Sequence, residues 1–163
     1  MFAHSDKERD KLLRRLRRLE AQTTSKPDNA LLLQEIGKCH RELDDMPLAE
    51  KCFRKACEMD PVDSWSRMYL GNIHYVRGEF ELALQEFQRA SELDLGEAIT
   101  WVLMGNVFDK LKRYEEAGSY YKKACSLDPQ CTVAERNLRR WNKANTSRLS
   151  SLIPNSLAQS KPR

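Results

Sequence analysis

Residues 98–131 read AITWVLMGNVFDKLKRYEEAGSYYKKACSLDPQC, a stretch whose pattern occurs three times in the chain. Gly105 in this stretch stands as far after Gly71 as Gly71 stands after Gly37. Four further columns keep the same spacing: Ala49/Ala83/Ala117, Phe53/Phe87/Tyr121, Ala56/Ala90/Ala124 and Pro61/Leu95/Pro129. A fixed period of this kind indicates a repeat architecture, in which one small unit stacks on copies of itself.

The residues at these offsets resemble the tetratricopeptide repeat (TPR), a helix-turn-helix unit of about 34 residues. The third unit carries the family pattern with Trp101, Met104, Gly105, Phe108, Ala117, Tyr121 and Pro129. The first unit matches with Leu33, Ile36, Gly37, His40, Ala49, Phe53, Ala56 and Pro61. The second unit departs at Arg67 and Leu95, which replace the bulky first residue and the final proline. We expect the nearby Trp65 to supply the missing bulk.

This resemblance covers about residues 30–129 and implies an all-α fold, a right-handed α-solenoid of three TPR helix-turn-helix repeats with an N-terminal helix and a C-terminal capping helix. We place the N-terminal basic helix and a connector at residues 1–29. The repeats follow at 30–131, divided as 30–63, 64–97 and 98–131. The capping helix is expected at 132–144, and the Ser-rich tail at 145–163 is expected to be disordered.

Local signals give the helix boundaries. Ser5 and Glu8 form a capping box before an apolar stripe of Leu12, Leu16 and Leu19, so a first helix is expected to end near Gln22. We expect this stripe to pack on the first repeat or on a second copy of itself. The predicted repeat helices are 30–43, 47–59, 64–77, 80–93, 97–111 and 114–127. The glycine and alanine columns let the two helices of a unit approach closely, and the aromatic column fills the space between units.

Charge is distributed unevenly along the chain. The net charge is +3 over residues 1–29, −5 over residues 30–131 and +6 over residues 132–163. The chain has no run of eighteen apolar residues, and its start lacks the apolar region of a secretory signal. The five cysteines are an odd number without paired spacing, which favours buried thiols in a reducing compartment. We therefore predict a cytoplasmic protein.

No catalytic constellation is visible in the sequence, so we predict that the protein is not an enzyme. It lacks a phosphate-binding glycine loop, a nucleophile elbow and a zinc-binding His-Glu helix. Cys39, His40 and His74 do not have the spacing of a zinc site. His40 and His74 occupy the aromatic column and are expected to be core residues. No metal and no cofactor are predicted.

The resemblance places the functional surface on the concave face, which is lined by the first helix of each repeat. Amide side chains at Asn72 and Asn106, in the column of Lys38, are able to hydrogen-bond the backbone of an extended peptide. Aromatic and methionine side chains around them are typical of protein-binding surfaces. The predicted peptide-binding groove consists of Lys38, Trp65, Met68, Tyr69, Asn72, Tyr75, Ile99, Val102, Asn106 and Asp109.

The predicted ligand is an apolar or amphipathic peptide segment, and the protein is then an adaptor, an assembly factor or a chaperone. Some TPR modules hold the acidic C-terminus of heat-shock chaperones in a carboxylate clamp. Here the matching positions carry Gln34, Lys38, Ile99 and Leu103, so the clamp is largely replaced. The size and the apolar groove also resemble those of bacterial secretion chaperones.

Three alternatives stay open at this stage. The basic N-terminal helix and C-terminal end would bind nucleic acid or an anionic surface with a steep salt dependence. The N-terminal helix would form a homodimer. The groove would be occluded by the N-terminal helix or by the tail, whose Leu149, Leu152 and Ile153 make a candidate intramolecular ligand.

Overall fold

The computed structural model describes residues 6–23 and 28–152, with side chains up to residue 148. Over these residues the protein is all-α, with eight helices and no strand. The helices belong to two compact units, Met1–Leu95 and Gly96–Arg163. The predicted all-α fold is thus confirmed. Residues 153–163 of the tail predicted to be disordered, with Ile153 of the candidate intramolecular ligand, lie outside the described residues.

The first unit contains the N-terminal helix and two repeats. Its helices are α1 (Asp6–Thr23), α2 (Ala30–Glu42), α3 (Met46–Met59), α4 (Ser64–Arg77) and α5 (Phe80–Leu93). The second unit contains α6 (Ala98–Lys110), α7 (Tyr114–Leu127) and α8 (Thr132–Leu152). Each predicted repeat helix therefore begins and ends within one residue of its expected position.

Each repeat closes on a contact between its glycine and its aromatic ring. A Cβ atom placed on Gly71 would lie 2.6 Å from Cε1 of Phe87, and one on Gly37 would lie 2.8 Å from Cε1 of Phe53. Phe53 and Phe87 are completely buried. Phe53 also packs with Leu70 of the next repeat, so it joins the two helices of one unit to the following unit.

Asparagine and aspartate side chains start the helices of the first unit. Asn29 accepts a hydrogen bond from the amide of Leu32, and Asp45 accepts one from the amide of Leu48. Asp63 accepts from the amides of Trp65 and Ser66. Such caps satisfy amide groups that have no partner within the helix.

The turn inside each repeat requires one residue with a positive φ. Asp44, Gly78 and Lys112 occupy equivalent positions of the three repeats, with φ angles of 66°, 80° and 60°. Only Gly78 adopts this left-handed conformation without a steric cost. The turn is thus a property of the repeat backbone, and the sequence marks it with glycine in the second repeat alone.

The leucine stripe of α1 packs on the first repeat. Leu16 is buried with Leu32, Ile36 and Cys39 of α2, and Leu19 packs beside them. This is the first of the two arrangements that the sequence allowed for the stripe.

Helix α8 packs against α7 and α6 of the second unit. The Nε1 of Trp141 donates a hydrogen bond to the carbonyl of Tyr114, at 2.7 Å. A Cβ atom placed on Gly118 would lie 2.7 Å from Cη2 of Trp141, so the indole lies directly on this glycine. The third repeat and α8 are locked together at this point.

Helix α8 continues to Leu152, eight residues beyond the boundary that we predicted at residue 144. In this extension the hydroxyls of Thr146 and Ser147 donate to the carbonyls of Asn142 and Lys143. These bonds follow the helical i to i−4 pattern, so the hydroxyl side chains that suggested a disordered tail are accommodated within the helix. The Arg148 guanidinium lies 3.7 Å from the centre of the Tyr114 ring and ties the extension to α7.

None of the helices in the described part of the chain has the length and apolar character needed to span a membrane.

The first prediction concerns the contact between Gly71 and Phe87. We expect Gly71→Ala to lower the free energy of unfolding by about 1–3 kcal/mol, because the added methyl overpacks a closed core. The cost should be smaller in a Phe87→Leu background, which removes the ring that the methyl meets. Chemical denaturation of the four proteins measures this coupling. Equal costs in both backgrounds would mean that the ring does not set the helix separation.

The second prediction concerns the lock between Gly118 and Trp141. Gly118→Ala is expected to release α8 from α7, at a cost of about 1–3 kcal/mol. Hydrogen exchange of the α8 amides should accelerate more than that of the α6 amides. Ser119→Ala, on the exposed neighbouring position, serves as the control and should leave the exchange of α8 unchanged. Unaltered protection of α8 in Gly118→Ala would contradict the lock.

Candidate functional site

In the first unit, a stripe of exposed and half-buried residues on α4 lies beside two cations of α2. Trp65, Tyr69 and Asn72 follow one another at helical spacing of four and three residues, so they share one side of α4. Lys38 and Arg41 of α2 reach over the Tyr69 ring. We call these five residues the α2–α4 surface.

Tyr69 is the centre of this surface. Its ring stacks on Phe53, with 4.8 Å between the ring centroids and 19° between the planes. The guanidinium of Arg41 lies 4.8 Å from the ring centroid, and the Nζ of Lys38 lies 5.5 Å from it. A cation over an aromatic face is attracted by the ring quadrupole, which holds the charge in place. The Tyr69 ring therefore supports two positive charges on a rigid core residue.

Apolar side chains extend the surface at both ends of α4. Trp65 is 42% exposed, although tryptophan normally contributes much buried area. Val76, which follows Asn72 by four residues, is 63% exposed. We did not select Val76 from the sequence, but its spacing from Asn72 is a signal that would have found it.

Glu35 links this surface to α1. Its carboxylate accepts a hydrogen bond from the Lys38 Nζ at 2.8 Å and one from the Arg15 guanidinium of α1. The hydrogen bond from Lys38 lowers the pKa of the Glu35 carboxyl below its ordinary value of 4.5, and partial burial opposes this effect. Glu35 therefore orients Lys38 toward Tyr69 while it holds α1 on α2.

A second polar contact ties the two repeats together beneath the surface. The Nε2 of the buried Gln34 donates to both carboxylate oxygens of Asp63, at distances of 3.1 and 3.2 Å. Asp63 also caps α4, so Gln34 of the first repeat fixes the start of the helix that carries Trp65. In TPR modules with a carboxylate clamp, a lysine stands at the position of Gln34. Here Gln34 is used for the contact with Asp63.

Two residues that we predicted for the groove in this unit contribute differently. Met68 is only 7% exposed and belongs to the core, because its side of α4 turns away from the exposed stripe. Tyr75 is half-buried and packs against Phe80 of α5, with ring centroids 6.0 Å apart. The structure thus brings together Lys38, Tyr69, Trp65 and Asn72, with Arg41 added.

The predicted residues of the second unit are largely used by its own packing. Val102 is completely buried, and Ile99 is half-buried. The Oδ1 of Asn106 accepts hydrogen bonds from the Tyr121 hydroxyl at 2.9 Å and from the Asn137 Nδ2 at 3.0 Å. Val102 is therefore corrected from a surface residue to a core residue, and Asn106 joins α6, α7 and α8.

Asp109 lies at a cavity of about 260 Å³ in the second unit, between α6, α7 and α8. Its Oδ2 is 3.8 Å from the Nη2 of Arg140, and the Trp141 indole forms part of the wall. Asp109 thus faces α8 of its own unit.

Histidines and cysteines do not assemble into a reactive or metal-binding group in the described residues. His74 Nδ1 lies 2.6 Å from the Glu79 carboxylate, and His40 Nδ1 lies 3.8 Å from that of Asp45, each within its own turn. Burial raises the pKa of the Cys57 thiol to about 11, so this thiol stays protonated at neutral pH.

The third prediction concerns Glu35. Its lowered pKa means that the ion pairs stabilise the fold above pH 4.5 and that this contribution is lost as the pH falls through the folded-state pKa. Glu35→Gln should lower the free energy of unfolding at pH 7 by at most about 1 kcal/mol, because the pairs are partly exposed. The difference from the unmodified chain should disappear at low pH. Denaturation at pH 7 and at low pH checks this. Glu58→Gln, at an exposed position of α3, is the control. A difference that persists in acid would contradict the assignment.

The repeats of this chain match models of a known protein family. Two models of the tetratricopeptide repeat match it, one over residues 37–98 and one over residues 98–131. No curated protein matches it.

Several solved structures have a similar fold and are distant in sequence. The structure of MamA has a TM-score of 0.72 and 21% identity, and the alignment covers 91% of this chain and 88% of MamA. The first TPR of Spaghetti (RPAP3), bound to the HSP90 peptide SRMEEVD, has a TM-score of 0.66 and 22% identity over 72% of this chain and 93% of that one. The first TPR domain of human RPAP3 has a TM-score of 0.67 and 23% identity, with coverage of 75% and 96%. The repeat columns, the helix pairs and both family matches agree, and the chain belongs to the tetratricopeptide repeat family.

Proposed function

We propose that this TPR protein is a non-catalytic protein-interaction module that binds an amphipathic peptide segment on the α2–α4 surface. The observation that carries the proposal is the Tyr69 ring, which stacks on a core phenylalanine and holds two cations at its other contacts. Aromatic and arginine side chains of this kind dominate the binding energy of many protein interfaces.

The chemistry of the surface defines the ligand. Trp65 and Val76 offer exposed apolar area at the two ends of α4, and Asn72 offers an amide that hydrogen-bonds a peptide backbone. Lys38 and Arg41 offer positive charge beside them. A segment that combines apolar side chains with a carboxylate fits this arrangement better than a purely apolar one. The role is then that of an adaptor, an assembly factor or a chaperone.

Peptide binding is compatible with this fold. The first TPR of Spaghetti (RPAP3), which is similar in fold, carries a bound HSP90 peptide of sequence SRMEEVD. The present chain does not repeat the clamp pattern, because Gln34 is buried on Asp63 and Lys38 lies over Tyr69. We therefore propose the same class of ligand, a peptide, with recognition centred on the aromatic ring.

The fourth prediction tests this surface by capture from native lysate. The full chain should retain a protein that Trp65→Ala/Asn72→Ala loses, with nuclease having no effect. Leu82→Ala is the matched control, because Leu82 on α5 is 45% exposed but lies outside the surface. Titration of the captured protein's segment should then show a loss of about 2 kcal/mol or more in the double variant, as for a tryptophan hot spot.

Arg41→Ala separates the two parts of the ligand. This substitution should weaken the binding of an acidic segment more than the binding of the same segment with its carboxylates replaced by amides. Capture that survives Trp65→Ala/Asn72→Ala and disappears with nuclease would contradict the proposal. The function would then belong to the basic helix α1 and to nucleic acid.

A further inference from the structure

Helix α1 has the sequence register of the second helix of a repeat. Leu19 stands one full repeat period before Phe53, in the aromatic column that continues through Phe87 and Tyr121. The packing agrees with this register: Leu19 lies with Ile36 and Cys39, just as Phe53 lies with Leu70 and Ile73. We propose that α1 binds an acidic amphipathic helix of a partner protein, which packs on α1 as the first helix of each repeat packs on the second.

The repeat register shows which side of α1 would meet such a helix. Lys11 corresponds to Asp45, Glu79 and Arg113, which follow it at successive repeat periods. Each of these three contacts the first helix of its own repeat. Asp45 lies 3.8 Å from His40, Glu79 lies 2.6 Å from His74, and the Arg113 guanidinium lies 4.7 Å from the Phe108 ring centre. The Lys11 side of α1 is therefore the side on which a first helix packs.

On that side the described residues leave an open groove of about 480 Å³. Its lining consists of Glu8, Lys11, Leu12, Arg15 and Glu42. Leu12 is half-buried and corresponds to Met46, which packs against the cluster that α3 forms with α4. The part of Leu12 that faces the groove would be covered by an apolar side chain of an added helix.

Charge selects the kind of helix. Lys7, Lys11, Arg14 and Arg18 are exposed and follow one another at helical spacing, and Lys11 of this stripe lines the groove together with Arg15, Glu8 and Glu42. None of the four has an ion pair among the described residues. An acidic edge on the incoming helix would be paired with this stripe of cations, which favours association and selects against basic partners.

The same charges argue against a second copy of this chain as the occupant. A second α1 packed antiparallel would set its own cation stripe against this one. Helix α8, the other end of the chain, places Arg139 in the column of Gly37, Gly71 and Gly105. That side chain would meet Leu19 and the cations of α1, where a first helix needs a glycine. Both arrangements bring like charges together, at a cost of several kcal/mol.

The fifth prediction uses a helix of the chain as a probe. A fluorescent synthetic peptide of residues 29–45, with Lys38→Glu, Arg41→Glu and Cys39→Ala, is an acidic first helix. The full chain should bind it with a saturable change in anisotropy. Leu12→Asp, and separately Lys11→Glu/Arg14→Glu, should each weaken binding by about tenfold or more. Arg17→Glu, a charge reversal outside the lining of the groove, is the matched control and should change binding less than about twofold.

Further arms make the outcome decisive. The peptide that keeps Lys38 and Arg41 should bind more weakly than the acidic peptide. Trp65→Ala should not alter the binding of the acidic peptide, and this result would separate the site on α1 from the α2–α4 surface. Circular dichroism checks that α1 stays folded in each variant. The proposal is overturned by an absence of saturable binding, by Leu12→Asp binding as the unmodified chain does, or by equal effects of Lys11→Glu/Arg14→Glu and Arg17→Glu. A short DNA duplex that binds more tightly than the peptide, independently of Leu12, would also overturn it.

Discussion

The contact of a glycine in the first helix with an aromatic ring in the second helix is the constraint on which each repeat depends. Any side chain on Gly37, Gly71 or Gly105 would enter the volume of the ring that faces it. This contact fixes the separation of the two helices, and the separation fixes which sides remain exposed. The α2–α4 surface exists because Phe53, held by Gly37, also supports the Tyr69 ring from below.

Departures from this contact mark the ends of the repeated structure. Leu19 continues the aromatic column into α1 with a smaller side chain, and Arg139 replaces the glycine in α8. An arginine at this position prevents the close approach of a further second helix, so α8 can face water, as a terminal helix of a repeat array must. At the other end, the smaller Leu19 leaves α1 able to accept a first helix.

The helices were predictable from the sequence because its constant period places the packing columns of all three repeats at the same offsets. The burial of individual side chains was not predictable. A position in the repeat shows on which side of its helix a residue lies, but it does not show which side chains pack against it. Asn72 and Asn106 share a column, yet Asn106 is drawn into a buried network by the Tyr121 hydroxyl. The equivalent ring opposite Gly71 is Phe87, which has no hydroxyl. The tyrosine in a phenylalanine column was the signal that separates these two asparagines.

The turns show how far chemistry can change while the geometry of the repeat persists. In the second repeat an imidazole of the first helix meets the carboxylate that begins the second helix, at 2.6 Å. In the third repeat the same two positions hold a phenyl ring and a guanidinium, Phe108 and Arg113. A histidine–carboxylate contact and a cation–π contact thus close the same turn, with the charge of the turn residue reversed. Since closure tolerates either sign, the charge at this column is available for recognition, and Lys11 of α1 carries a positive charge in this column.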